Sequence, residues 1–150
     1  MSVRDTMATF AAKKLTKHFA DSITGIHLYL PSMLADTSKS NWCQLHIGGP
    51  NFYEPSNDIF FVTVPFRFLV GTKPNNENIY QQETNLDLIT EHCVDINVLN
   101  DSGVLINIFK LSPLRGGQPL RIEKYGNVNK GVKFLQATIS GQYEITLEET

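Results

Sequence analysis

The sequence predicts a single α+β domain over residues 1–150: a mixed or antiparallel β-sheet packed by an N-terminal helix and a second, central helix. Three observations predict it. Apolar residues recur at spacings of three and four near the N-terminus, strict period-two alternation runs through 60–70 and again through 137–147, and a second helical register begins near residue 79. At 150 residues the chain has the size of one ordinary domain and is long enough to bury a core.

In VRDTMATFAAKKLTKHFAD, the residues Val3, Met7, Phe10, Ala11, Leu15 and Phe19 form an apolar stripe, while Arg4, Lys13, Lys14 and Lys17 lie off it. Ser2 is placed to cap this helix, and DSITG supplies the turn chemistry that ends it. One face is then free for a sheet and the other, rather basic, for solvent or a partner. GIHLYLP and NWCQLHIGG alternate as two short strands separated by SMLADTSKS. GGPNFYEPSND gathers glycine, proline, asparagine and aromatics and reads as one long loop.

In DIFFVTVPFRFLVG every even position from Phe60 to Val70 is apolar, so one face of this strand enters the core. The odd face is mixed, with Ile59 and Phe61 giving way to Thr63, Pro65, Arg67 and Leu69. A proline cannot donate to a ladder, so Pro65 points to an edge or a bulge. A half-apolar edge strand is an aggregation hazard unless another chain or segment covers it, which is the first sign of assembly.

In TKPNNENIYQQETNLDLITEHC, Ile79, Gln82, Leu86, Ile89 and Cys93 share a helical face, with Asn78 as N-cap. Ile96 and Leu99 continue that register, and the helix is expected to reach about Leu99; the alternative is a strand with Val94, Ile96 and Val98 paired to Val104, Ile106 and Ile108 across NDSG. GVLINIFKL reads as a strand, SPLRGGQPL as a loop, and LRIEKYGNVNKG as a weaker strand followed by turn residues. FLQATISGQYEITLEE is the clearest strand: Ala137, Ile139, Tyr143, Ile145 and Leu147 take one face, and Thr138, Ser140, Gln142, Glu144 and Thr146 the other. No internal repeat or low-complexity segment is visible.

Composition narrows the function classes. Hydrophobic residues make up 41% and charged residues 19%, a globular balance with a thinly charged surface that suits burial against neighbours. A net charge of −2 gives no pull toward nucleic acid and disfavours a specific DNA reader. Two cysteines without a secretory leader point to a reducing, cytosolic site of synthesis, and no apolar run reaches the ~20 residues that would span a bilayer.

Candidate chemistry is thin. Cys43-x-x-His46 offers two metal ligands, but on one strand their odd separation puts them on opposite faces, and zinc needs three or four convergent ligands. Glu91-His92-Cys93 holds the residue types of an activated thiol, yet helix neighbours point about 100° apart. His18 and His27 stand apart from these groups; no nucleophile-elbow, phosphate-loop or metalloprotease motif occurs, and RGGQP reads as a turn. Glu144, Glu148 and Glu149, with Asp87 and Glu91, read as solvated faces, as do the helix lysines. No catalytic residue, cofactor or metal is expected.

The order of an amphipathic N-terminal helix, two short strands, a long loop, the hydrophobic FFVTVPFRFLV, a polar-rich helix, a strand, a loop and the terminal QATISGQYEITL resembles the tail terminator (tail completion) proteins of long-tailed bacteriophages. The resemblance covers nearly the whole chain and is one of layout, not of a short motif. It implies a structural virion protein without enzymatic activity: a homo-oligomer, by resemblance a hexameric ring, assembled in the host cytoplasm and sitting at the head-proximal end of the tail. Such a ring caps the tail tube, ends its growth and joins the head, so the partners it implies are the tube protein and the head–tail connector, with no membrane. On that footing the interface candidates are Lys13 and Lys17 of the first helix, Thr63, Pro65 and Arg67 of the long strand, and Phe52, Tyr53 and Arg115 in the loops. Phe52 and Tyr53 have the alternative of folding back over the core. The same features fit another phage neck or tail component, such as a head-closure or tube protein, and a small-molecule-binding α+β domain is the alternative from a different class.

Overall fold

A computed structural model describes the backbone of residues 3–56, 59–73, 80–114, 116–129 and 132–148, and the side chains of 9–52, 61–73, 80–114, 116–125 and 135–146. The elements run α1 (Val3–Ser22), β1 (His27–Tyr29), β2 (Asn41–Ile47), β3 (Asn51–Ser56), β4 (Ile59–Thr72), α2 (Gln81–Glu91), β5 (Ile96–Leu99), β6 (Leu105–Leu111), β7 (Leu120–Asn129) and β8 (Val132–Glu148). Among the described residues the strands form one curled mixed sheet in the order β1-β2-β4-β8-β6-β5, with β3 also on β4 and β7 also on β8. The β1–β2 pair is parallel and the other pairs are antiparallel. The result is an α+β architecture dominated by sheet.

The core follows from two alternations placed in register. β4 and β8 pair without interruption from Ile59↔Glu148 to Thr72↔Leu135. Val62, Val64, Phe68 and Val70 therefore stand opposite Ile145, Tyr143, Ile139 and Ala137, and all eight are buried. α1 closes this inner face with Ala11, Leu15 and Phe19, as its spacing predicted; the Val3 and Met7 positions, like Phe60 and Leu147, fall outside the described side chains. Phe19 meets Phe68 edge-on with ring centres 4.9 Å apart, and Phe66 stacks on Tyr143 at 4.9 Å. Such aromatic pairs add about 0.5–1.5 kcal/mol each beyond the area they bury. α2 adds Leu86 and Ile89 to the same cluster.

α2 ends at Glu91, not at Leu99, and the strand alternative holds in its place. Burial explains the outcome: β5 pairs Ile96 with Phe109 and Val98 with Asn107, which sinks Ile96, Val98 and Phe109 into the core. The turn is built by Asn100, whose Oδ1 accepts the N–H groups of Ser102 at 2.9 Å and Val104 at 3.0 Å. Leu99 pairs with Leu105, so the register differs from the one expected through Val104, Ile106 and Ile108. Asn78, the expected cap, lies outside the described residues, and Tyr80 occupies the N-cap without capping the helix through its side chain.

The expected loop GGPNFYEPSND contains β3, and the turn residues expected after LRIEKY continue as β7 to Asn129. Both are strands because a long neighbour offers a free edge. β2 and β3 lie end to end along β4, separated at Gly48–Pro50, where three residues oppose two: Ile47 pairs with Phe66 and Asn51 with Thr63. This bulge also settles Pro65. β4 is an interior strand, not an edge, flanked on one side by β2 and β3 and on the other by β8. The Pro65 carbonyl accepts from Gly48 N at 2.8 Å, so the Pro65 nitrogen points to the same, bulged side, where no ladder bond is lost.

Near β2 the sheet is buried on both faces. Trp42 and Gln44 point away from Cys43 and Leu45, yet all four are buried. The Gln44 amide donates to the Leu30 carbonyl at 2.8 Å, which ties the segment after β1 over this strand. The Trp42 indole lies across Gly71, its cross-strand partner, and a Cβ at Gly71 would overlap the ring. Gly71→Ala is therefore expected to cost about 1–3 kcal/mol of stability and to shift the emission of Trp42, the protein's single tryptophan. A urea titration followed by fluorescence checks this; an unchanged midpoint with unchanged native emission would contradict the packing.

Candidate interaction surfaces

The odd positions of β4 reach the face of the sheet opposite the helices. They bring Thr63, Pro65 and Arg67 together, with Arg67 exposed and the other two half-buried. Register extends this row sideways: His46 pairs with Arg67, Arg67 with Ser140, and Ser140 with Arg121. Arg121 is already engaged by Glu123 at 2.8 Å, whereas Arg67 has no carboxylate or carbonyl partner among the described residues. Beside it runs an open groove of about 440 Å³ bordered by His46, Gly48, Pro65, Leu114 and Gln142. A guanidinium held on a rigid strand, without an internal partner, is equipped to take a carboxylate in bidentate fashion.

The remaining interface candidates separate. Phe52 pairs with Val62 and packs half-buried against the core, which is the folded-back alternative. Tyr53 pairs through its backbone with Phe61, and its side chain lies outside the described ones. Arg115 is likewise outside, although the loop around it is a tight turn: Leu114 N donates to the Gln118 carbonyl at 2.8 Å, and Gly116 and Gly117 take positive φ values that favour glycine. Lys13 and Lys17 are exposed on α1, in the helical layer. The sequence candidates thus occupy two surfaces, one on each side of the sheet.

A third surface was not singled out from the sequence. β6 joins β8 through only Lys110↔Glu144 and Leu111↔Tyr143, so the distal part of the β5–β6 hairpin stands clear of that ladder. Leu99, Val104, Leu105 and Ile106 are each 45–59% exposed there. The signal was present in GVLINIFKL, which is apolar at both odd and even positions. Clustered exposed apolar side chains of this kind mark interaction sites more often than isolated ones do.

The titratable groups in the interior are structural. Cys43 and Cys93 are free and buried, and burial pushes both thiols up to about 12. Cys43 faces inward and His46 outward, as their odd separation predicted. The Tyr143 hydroxyl donates to the Cys93 carbonyl at 2.9 Å, and burial raises its phenol as well. His18 Nε2 lies 3.1 Å from the His92 carbonyl, so its ring bridges α1 to the end of α2. No grouping of three metal-ligating side chains occurs among the described residues, and no described helix is long and apolar enough to cross a membrane. No protein-family model and no curated protein matches the chain.

These thiols give a signed pH dependence. Each is held neutral in the fold, with its pKa above the ordinary 9.0, so its contribution is complete below pH 9 and is lost as pH rises toward 12. Unfolding free energy is expected to fall above pH 9 by about 1.4 kcal/mol per pH unit for each thiol. Urea titrations across this range check it, and Cys43→Ala is expected to flatten the slope; an identical slope in that variant would contradict the assignment. At neutral pH, Ellman's reagent is expected to find both thiols only after unfolding.

Proposed function

We propose that this chain is a structural subunit of a closed assembly: the ring that caps the tail tube of a long-tailed bacteriophage, ends tube growth and presents the head-joining surface. The layout resemblance suggests the role, and one observation carries it: contact-grade surface is distributed over separate places on one rigid sheet. The exposed apolar hairpin Leu99–Ile106 stands clear of the β8 ladder, and Arg67, without a charged partner among the described residues, lies on the face away from the helices. A ring subunit needs this distribution, because it touches like neighbours sideways and unlike structures above and below. Its mechanism is assembly, not turnover. Ring contacts stop tube growth because the far face of the ring offers no tube-like docking surface.

The experiment is light scattering of the purified protein over a wide range of concentration, with negative-stain imaging of what elutes. Closed rings of uniform size are expected, and a monomer at every concentration that also fails to bind the ends of purified tail tubes would overturn the proposal. Arg67→Glu changes an exposed side chain, so its urea midpoint is expected to match the parent's while ring or tube binding weakens. Equal loss of fold and assembly would contradict a contact role for Arg67.

A further inference from the structure

Two helices of this chain carry opposite charge stripes on their solvent sides. On α1, Lys13 and Lys17 are exposed and four residues apart, with half-buried Lys14 beside them, its ammonium 5.5 Å from the centre of the Phe10 ring. On α2, Glu83, Asp87 and Glu91 are exposed at the same spacing of four. Like charges at this spacing repel along a helix, and Glu91 also closes α2 at its electronegative end, where no basic residue offsets it. Glu83 is relieved by Lys124 of β7. Asp87, Glu91, Lys13 and Lys17 have no ion-pair partner among the described residues. Asp21, one turn beyond Lys17, forms no ion pair with it.

Part of each stripe borders a groove, with Lys13 and Glu83 outside it. Lys14, Lys17 and His18 line one side of a groove of about 480 Å³, and β5 with its turn, residues 96–101, lines the other. Asp87 and Glu91 border a separate groove of about 450 Å³ that runs between α2 and the α1–β1 connection at Thr24 and Gly25. Both grooves are open, and the strand beside the basic one ends the sheet, so its outer backbone edge has no strand partner among the described residues.

We infer that a second copy of this chain docks head-to-tail, with the acidic stripe of α2 from one copy set against the basic stripe of α1 and the β5 edge of the next. The equal spacing makes the match specific: four residues advance a helix by roughly 6 Å, so two ion pairs form at once. The contact joins two different patches and is heterologous, which yields a ring when the rotation closes and a filament when it does not. Exposed Leu99 at the end of β5 lies along the same groove and supplies apolar area beside the charges. Asp21 and Asp101 stand at the rim of the basic groove and limit how far along it an acidic helix sits.

This contact rests on the assembly proposed above, and a charge-swap experiment separates the two. Lys13→Glu with Lys17→Glu makes one variant acidic on both faces, and Asp87→Lys with Glu91→Lys makes the other basic on both. Each alone is expected to associate roughly ten- to hundredfold more weakly than the parent, in a salt-dependent way. Mixed in equal amounts they are expected to co-assemble, because each acidic face then meets a basic one. All four changed positions are exposed, and thermal melts of each variant verify the fold. Parent-like assembly of each variant alone, or no recovery on mixing, would overturn this contact while leaving the ring reading intact. A parent that never self-associates would overturn this contact, and one that also fails to bind the ends of purified tail tubes would overturn the ring reading as well.

Discussion

Everything else in the molecule hangs from the pairing of β4 with β8. The ladder runs the whole of β4, which is 14 residues long, and most of the 17-residue β8. Side chains alternate with period two, so a slip of one residue would turn the inward set of one strand, either Phe66 and Phe68 or Ile139 and Tyr143, out of the core. That penalty fixes the register. Each long strand then lends its outer edge to two shorter ones in series: β2 and β3 lie along β4, and β7 and β6 along β8. The short strands are consequences of the ladder rather than independent units, and the helices are laid on the face it makes apolar.

Legibility in the sequence follows the same division. The long strands and α1 were readable because each carries its own periodic pattern over many residues, and tertiary packing only confirms it. β3 and the second half of β7 were not, because Gly48, Gly49, Pro50 and Pro55 in one segment and Gly126, Asn127 and Asn129 in the other carry turn-type chemistry. A partner edge distant in sequence overrides that local preference. The end of α2 failed for a different reason: Cys93, Ile96 and Leu99 satisfy a helical spacing of three, while Ile96 and Val98 satisfy a strand spacing of two, and only the burial of Phe109 decides between them. Pro65 was legible as an irregularity, but not as one carried by the neighbouring strand, since the bulge residues sit fifteen or more positions upstream. Of the candidate surfaces, the individual residues Thr63, Arg67, Lys13 and Lys17 were visible in the sequence. Their division between the two sides of the sheet was not, because it depends on which layer each element joins.

The polar groups that the core does bury act as fasteners. Asn85 of α2 is 3% exposed and donates to Asn41 Oδ1 at 2.9 Å and Thr72 Oγ1 at 3.1 Å, while Gln81 donates to its own Oδ1 at 2.8 Å. This pins one helix to the ends of β2 and β4. Beyond α2, the Tyr143 and His18 contacts hold residues 92 and 93 to β8 and α1. Buried polar groups satisfied in this way specify one arrangement more than they add stability. Here they specify where α2 lies relative to α1.

That relative placement bears directly on the assembly proposed for this chain. In a head-to-tail contact, affinity depends on the charges of the two stripes, but closure depends on the angle between them. Since α1 and α2 both rest on the inner face of the β4–β8 ladder, this angle is a property of the core, far from the residues that touch the neighbour. In the proposed assembly affinity and closure are therefore separable: surface charges would tune how tightly copies associate, whereas Asn85, Tyr143 and His18 would set whether successive copies return to the start. Loosening one of these fasteners leaves both stripes intact and exposed, yet frees α2 to shift on the sheet, and the same contact then propagates as an open filament or as rings of mixed size. A rigid sheet with polar fasteners beneath its contact helices is the arrangement that a closed assembly demands of its subunit, since an error of a few degrees per copy accumulates around the ring.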